Sequence, residues 1–469
     1  MPAPPLARLY NDVPRRHRSR VSAAGGVGYA RRIGVFSATM LVVGGIIGSG
    51  IFLNPAIVAQ RVGSAPLIVA AWSIGALVAL LGAFIFAELG ARRPAAGGGY
   101  VYLRDAFGPL PAFLYGWALL LAIATGAAAA VAVTFASYAA PILGLPPATE
   151  TWLAAVAIAL LSLVNILGVR PGSVVQNVLT LLKLSAIAVL VIGALVGPAH
   201  AQVVAASPVV TTSRSVLVAL GTALVPVLFA YGGWQQTNFV AEEMIDARRN
   251  LPRALVIGVV IVGAVYLAVN LTYLHALGVR GLAASRAPAA DVMGAYFGAP
   301  GRRLIAAGIA VSTFGFLNLV ILVTPRVYQA MAADGVFFAR FAELHPRYRT
   351  PVAAIVTQGV WAIVLLASGS YGQLLDYVTF ADWIFFGVTA ATLVVYRRRA
   401  ATHDAGFRAP LYPSSVALFI LACVYVVVGA VISNPPNAVR GALLLAAGVP
   451  AYLAWSRRSK APARRAAEL

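Results

Sequence analysis

Gly44-Gly45-Ile46-Ile47-Gly48-Ser49-Gly50-Ile51-Phe52, with Pro55 just beyond, interrupts the first long apolar stretch of the chain, which runs from about Ile33 to Ala59. A helix that only crossed lipid would not carry such a run. Each glycine in a helix interior costs about 1 kcal/mol, and an opened backbone in hydrocarbon leaves its N–H and C=O groups unpaired unless it lines a cavity or is covered by protein. The interruption therefore reads as a site. A second one of the same kind, Phe229-Ala230-Tyr231-Gly232-Gly233-Trp234, stands about 180 residues later inside another apolar stretch.

The rest of the chain places both interruptions in a bilayer. Hydrophobic residues make up 61% of the 469, charged residues only 10%, and the mean hydropathy is +0.86, outside the range of water-soluble domains. Windows of about 20 apolar residues, enough to cross a hydrocarbon core of roughly 30 Å, occur twelve times. They lie at 33–59, 66–91, 109–140, 151–169, 173–197, 216–242, 253–278, 303–330, 352–369, 374–396, 414–433 and 440–456. The expectation is an all-α membrane protein of twelve transmembrane helices, with one membrane domain over 33–456 and basic tails at 1–32 and 457–469.

A net charge of +21 invites a nucleic-acid reading, but its placement argues against one. If the N-terminus is cytoplasmic, inward segments hold 26 of the 35 Lys and Arg residues. By the positive-inside rule this predicts cytoplasmic N- and C-termini, with Arg280, Arg286, Arg302 and Arg303 as a local exception. The charge is a topology signal and an attraction to anionic lipid, and no nucleic-acid partner is expected. The first 30 residues hold no apolar core of the kind a cleavable signal needs. A single cysteine, Cys423, leaves no internal disulfide and no thiolate metal cluster. No metal, cofactor or enzymatic nucleophile is expected.

Matched glycine breaks in the first and sixth spans suggest two structural repeats, about 33–197 and 216–396, followed by two extra helices over about 414–456. With five spans each, the repeats must insert in opposite orientations, the five-plus-five inverted arrangement of secondary transporters. Here the chain resembles a known family. Val42 to Phe52 followed by Pro55 is similar to the first-span signature of the amino acid/polyamine/organocation superfamily. Phe229 to Trp234, with Val240-Ala241-Glu242-Glu243 and Arg249-Asn250-Leu251-Pro252-Arg253-Ala254, is similar to its sixth span. Ala87-Glu88-Leu89-Gly90, Gly97-Gly98-Gly99-Tyr100, Asp334-Gly335 and Pro410-Leu411-Tyr412-Pro413 extend the likeness, which is strongest to the L-type amino acid transporters and their bacterial relatives.

Two unwound helices offer a zwitterion what it needs without a charged side chain. Free N–H groups start each second half, free C=O groups end each first half, and the helix dipoles reinforce both. The predicted substrate-binding set is Ile46, Ile47, Gly48, Ser49, Gly50, Ile51, Phe229, Ala230, Tyr231, Gly232 and Gly233. A carboxylate would sit on the amides around Ser49, Gly50 and Ile51, and an ammonium on the carbonyls of Ile46 and of Phe229 to Tyr231. Gly232 and Gly233 would leave room for the substrate side chain, or else let helices pack closely. The resemblance makes Phe229 the aromatic gate over the substrate; a ring facing lipid is the alternative.

Lys183 is one of only two lysines and lies deep in the fifth span, where a charge costs roughly 2.5 to 3.5 kcal/mol on insertion scales. Snorkelling to the membrane edge is one reading. The resemblance implies another: an ammonium reaching the first break in place of the sodium ion of coupled relatives, with Ser312 and Thr313 lining the same region. Asp382 and Trp383 in the tenth span are possible pocket residues, since an intramembrane carboxylate is a functional hypothesis by default. Two departures stand out. Phe314-Gly315-Phe316-Leu317-Asn318 is bulkier than the family's usual run, and Gly144 to Glu150 lacks the cysteine by which animal L-type proteins join a glycoprotein.

These features predict a multi-pass protein of the cytoplasmic or plasma membrane, surrounded by lipid. Its expected activity is sodium-independent exchange of neutral L-amino acids by alternating access, without a disulfide-linked heavy-chain partner. Proton-coupled symport, antiport of cationic amino acids or polyamines, and a non-transporting amino acid sensor are the alternatives.

Overall fold

The computed structural model describes residues 28–196, 216–368, 371–399, 406–433 and 435–465. Most of the expected N-terminal tail lies outside them. The first apolar stretch folds as α1 (Val35–Ile46) and α2 (Gly50–Val62), bent by 42° across Ile47-Gly48-Ser49. Helix α1 stops because Ile47 turns extended, and α2 ends on Gly63 in the left-handed conformation (φ 59°), whose amide caps Ala59, the glycine stop of many helices. There follow α3 (Ala65–Arg92), the short α4 (Gly99–Phe107), α5 (Pro109–Ala118), α6 (Ala124–Ile142), α7 (Glu150–Ile166) and α8 (Val169–Val196). The second half begins with α9 (Val216–Ala230), then α10 (Ala247–Ala284), α11 (Pro288–Val323), α12 (Pro325–Ala333), α13 (Val352–Ala367), α14 (Tyr371–Arg399), α15 (Ser414–Ser433) and α16 (Pro435–Arg465).

Among the described residues, nine helical runs are long and apolar enough to cross a membrane, and the bent pair α1–α2 makes a tenth. The other two expected spans fall on α13, a shorter apolar helix, and on the 29-residue α14. Helix α16 continues through Arg465, into the stretch expected to be a tail. Apolar side chains such as Leu77, Leu160, Leu195, Leu421 and Ile432 are exposed on the outside of the bundle. In water they would be a liability, whereas in lipid they are the solvent-facing surface.

Each packed pair recurs between the counterparts five spans away, as an inverted repeat requires. Helix α1 packs on α10, and its counterpart α9 packs on α3; α8 lies along α11, and its counterpart α14 lies along α6. Helices approach closely where a side chain is missing. A Cβ on Gly90 would strike Leu251 and Asn238, and one on Gly82 would lie 2.5 Å from the Trp234 ring, so small residues set the spacing, as expected where no hydrophobic effect drives helices together.

Candidate functional site

The two breaks meet backbone against backbone at the centre of the bundle. A Cβ on Gly50 would lie 3.1 Å from the Ala230 Cβ, and one on Gly233 would overlap the Gly45 carbonyl. Gly233 also has φ 106°, a conformation that suits only glycine. Its missing side chain therefore serves the crossing of the two chains. Gly232 differs, because a Cβ there would meet only the carbonyls of Phe229 and Leu228, at 3.3 and 4.0 Å. Both glycines border the space beside the break, and a side chain at Gly232 is the one that the surrounding backbone leaves room for.

Side chains from three other helices take up the carbonyls that the first break frees. The Lys183 ammonium, fully buried, donates to the Ile47 oxygen at 2.6 Å and to the Gly44 oxygen at 3.2 Å. Ser312 donates from α11 to the same Ile47 oxygen at 3.2 Å. The Tyr266 hydroxyl, from the middle of α10, lies 3.0 Å from the Ile46 oxygen and 3.2 Å from that of Ala230. It thus bridges the last carbonyls of both first halves. The hydroxyl has one proton to donate; while it goes to Ile46, whose oxygen also accepts from the Gly48 amide at 2.9 Å, both lone pairs there are engaged, and an incoming ammonium must share that oxygen or turn the tyrosine towards Ala230. On the other side of the break, the amides of Ser49, Gly50 and Ile51 take part in none of the turn and cap hydrogen bonds around them.

On the two turns of α8 that precede Lys183, Thr180 and Gln176 continue the contact with α1. Thr180 donates to the Met40 oxygen, Gln176 donates to Thr180, and Asn318 of α11 donates to Gln176 at 2.9 Å. All four of Gln176, Thr180, Lys183 and Asn318 are fully buried. A Cβ on Gly44 would overlap Gln176, so the first glycine of the break admits this polar ladder.

A cavity of about 200 Å³ opens beside the crossing. Set against the roughly 30 Å³ of one liquid water, it holds a solute of several heavy atoms. Of the predicted residues, Ile46, Gly48, Ser49, Gly50, Phe229, Ala230, Gly232, Gly233, Asp382 and Trp383 line it. Phe229 is 44% exposed. Asp382 is the one carboxylate on the wall, and no cationic side chain of the described residues lines the cavity with it. Ile47, Ile51, Lys183 and Ser312 stand behind the wall. Thr313 does not reach the break, because its hydroxyl bonds Ile309 and Ala310 of its own helix. The Tyr231 ring also turns away, packing on Trp72 and Tyr266 with ring centroids 5.9 and 5.0 Å apart. Of the two bulky residues of α11, Phe316 lines the cavity, while Phe314 packs on Phe135.

Two contributors carry no sequence signal. Tyr266 is one tyrosine in an apolar run, and Leu119 to Ile123 form a single π-helical turn that puts Leu119 and Ile123 on the wall, a distortion common at functional sites. Among the described residues no group of three His, Cys, Asp or Glu side chains stands together as a metal site would need.

Past the cavity, the ends of both broken spans are fastened. The Glu243 carbonyl accepts from the Arg32 and Ile33 amides, and Ile245 donates to Ile33. Glu243 itself forms a fully buried ion pair with Arg326, at 2.7 Å. This segment, Trp234–Glu243, is wound as 3-10 helix with a kink at Val240.

A bundle with two crossing broken spans around a central cavity, and paired packing across five-span repeats, defines an integral membrane transporter of the inverted-repeat class. The comparisons narrow this. Residues 33–452 match the amino acid permease family, and the chain belongs to that family, whose members are transporters and not enzymes. It is 32% identical over 409 residues to the b(0,+)-type amino acid transporter 1 of Mus musculus, covering 86% of this chain and 83% of that protein. It is 31% identical over 450 residues to the large neutral amino acids transporter small subunit 2 of Homo sapiens, covering 94% and 83%. With the serine/threonine exchanger SteT of Bacillus subtilis (strain 168) it shares 30% over 438 residues, covering 92% and 98%.

Proposed function

We propose that this permease exchanges neutral L-amino acids across the membrane without sodium, by alternating access. The observation that carries the reading is Lys183, whose side-chain nitrogen occupies the carbonyls of Gly44 and Ile47, where a coupling cation would otherwise be needed. The free amides of Ser49 to Ile51 suit a carboxylate, and the largely apolar wall suits an uncharged side chain. Phe229, exposed on one side of the crossing, serves as the gate, while the buried Arg326–Glu243 pair holds the other side shut. Its relatives include a named exchanger and a named neutral amino acid transporter. The N- and C-termini are cytoplasmic, and the protein works without a disulfide-linked partner.

Uptake of labelled alanine, serine and leucine into sodium-free liposomes tests the reading. Accumulation only in vesicles preloaded with amino acid is expected. Uptake into empty vesicles under an inward proton gradient would make it a symporter, and no uptake in either would return the sensor reading. Asp382 favours a second reading, antiport of cationic amino acids, which predicts that arginine competes and that Asp382→Asn abolishes the competition.

A further inference from the structure

We propose that a groove at the start of α10 binds the headgroup and upper acyl chain of an anionic phospholipid. It is separate from the transport cavity. The groove, about 370 Å³, is bordered by the first turns of α10, by Phe84 of α3 and by Gly406 and Phe407 ahead of α15. One side is basic and the other is apolar: Arg248, Arg249 and Arg253 against Phe84, Val256, Ile257 and Phe407. The Phe84 and Phe407 rings stack at 6.4 Å, making a firm wall.

The order of residues along α10 matches the order of a lipid. Arg249, Arg253 and Ile257 follow at intervals of four, one helix face, and with a rise of 1.5 Å per residue they span about 12 Å. Charge therefore gives way to hydrocarbon over about the depth at which a headgroup gives way to its chains. Ile257 is 45% exposed, and Val260 one turn on is 54% exposed, so the apolar half runs out onto the lipid-facing surface. A free phosphate would use the arginines and leave that half unused.

At the same end of the bundle Arg92, Arg93, Arg104, Arg326 and Arg397 are each paired with a carboxylate. Among the described residues Arg248, Arg249 and Arg253 have no ion-pair partner, although Asp246 opens their helix. The positive end of the helix dipole adds to the attraction. Basic pockets between spans beside the membrane surface are where anionic headgroups bind.

The test uses the full-length chain in nanodiscs of phosphatidylcholine with a minor fraction of phosphatidylglycerol, followed by native mass spectrometry of the released protein. Wild type should retain phosphatidylglycerol in preference to phosphatidylcholine. Arg248→Gln/Arg249→Gln/Arg253→Gln should lose that preference several-fold, whereas the charge-matched Arg280→Gln/Arg286→Gln/Arg303→Gln should keep it. Ile257→Asn, which leaves every charge in place, should also weaken retention and covers the case in which the triple variant fails to fold. Equal loss in both triple variants, undiminished retention in the first, or complete displacement by millimolar inorganic phosphate would overturn the proposal.

Discussion

The two breaks have the same glycine-rich origin, yet they are held in opposite ways. The first is held by side chains from elsewhere: Lys183, Ser312 and Tyr266 seat themselves on its carbonyls, and the chain resumes as the α-helix α2. The second shares Tyr266 through the Ala230 carbonyl and is otherwise held within its own segment, where the Gly233 amide donates to the Gln235 side chain. Gly232 donates to Phe229, Gly233 turns through φ 106°, and the chain resumes as a 3-10 helix. A break held from outside can respond to its partners, so the first is where coupling would reside. A break held from within presents a fixed shape, so the second is where substrate size would be set.

Replacing Lys183 should break this contrast most severely. Lys183→Met leaves the buried Gly44 carbonyl without its side-chain donor, at about 1–3 kcal/mol, takes the shorter of two side-chain donors from the Ile47 oxygen and removes the charge at the break, so exchange should fall at least about a hundredfold, as read by initial rates in preloaded liposomes. A variant that retains near wild-type exchange would move coupling away from the first break.

The paired glycines sharpen the other half. Gly233→Ala should cost about tenfold or more in transport and lower the melting temperature, because it must leave a left-handed conformation worth about 1–2 kcal/mol and collide with Gly45. Gly232→Ala should fold normally and change selectivity instead, lowering leucine uptake relative to alanine. If both glycines behaved alike, the second break would not divide into a packing residue and a pocket residue.

Tyr266→Phe removes one hydroxyl shared by both breaks. A net loss of about 0.5–1.5 kcal/mol per hydrogen bond predicts a drop of about three- to tenfold in exchange, with the protein still monodisperse. Ser312→Ala should have the smallest effect, about two- to threefold on the same scale, because Lys183 continues to serve the Ile47 oxygen. A larger loss in Ser312→Ala than in Tyr266→Phe would reverse the ranking of the two supports.

Much of this was legible in the residues themselves, for a physical reason. Glycine runs inside apolar spans and a lysine in hydrocarbon are both costly, and costly features stand out against a cheap background. Tyr266 was not legible because tyrosine inside a span is cheap whenever its hydroxyl finds a partner, and the partners lie 220 and 36 residues away. Ser312 and Thr313 are neighbours of the same chemistry, and only the rotation of α11 decides that one faces the break while the other bonds its own helix. Gly232 and Gly233 were likewise indistinguishable until φ and the neighbouring backbone were known. The buried pair of Arg326 and Glu243 was not legible either, since the partners stand 83 residues apart and Glu243 comes from the end of the second broken span.

The most direct measurement compares initial exchange rates in preloaded liposomes with sodium against choline on both sides, for wild type and for Lys183→Met. Wild type should run equally fast in the two salts, and Lys183→Met should be inactive in choline. A wild-type rate that collapses when sodium is withdrawn, or a Lys183→Met protein that exchanges at the wild-type rate in choline, would contradict the assignment of Lys183 as the built-in cation.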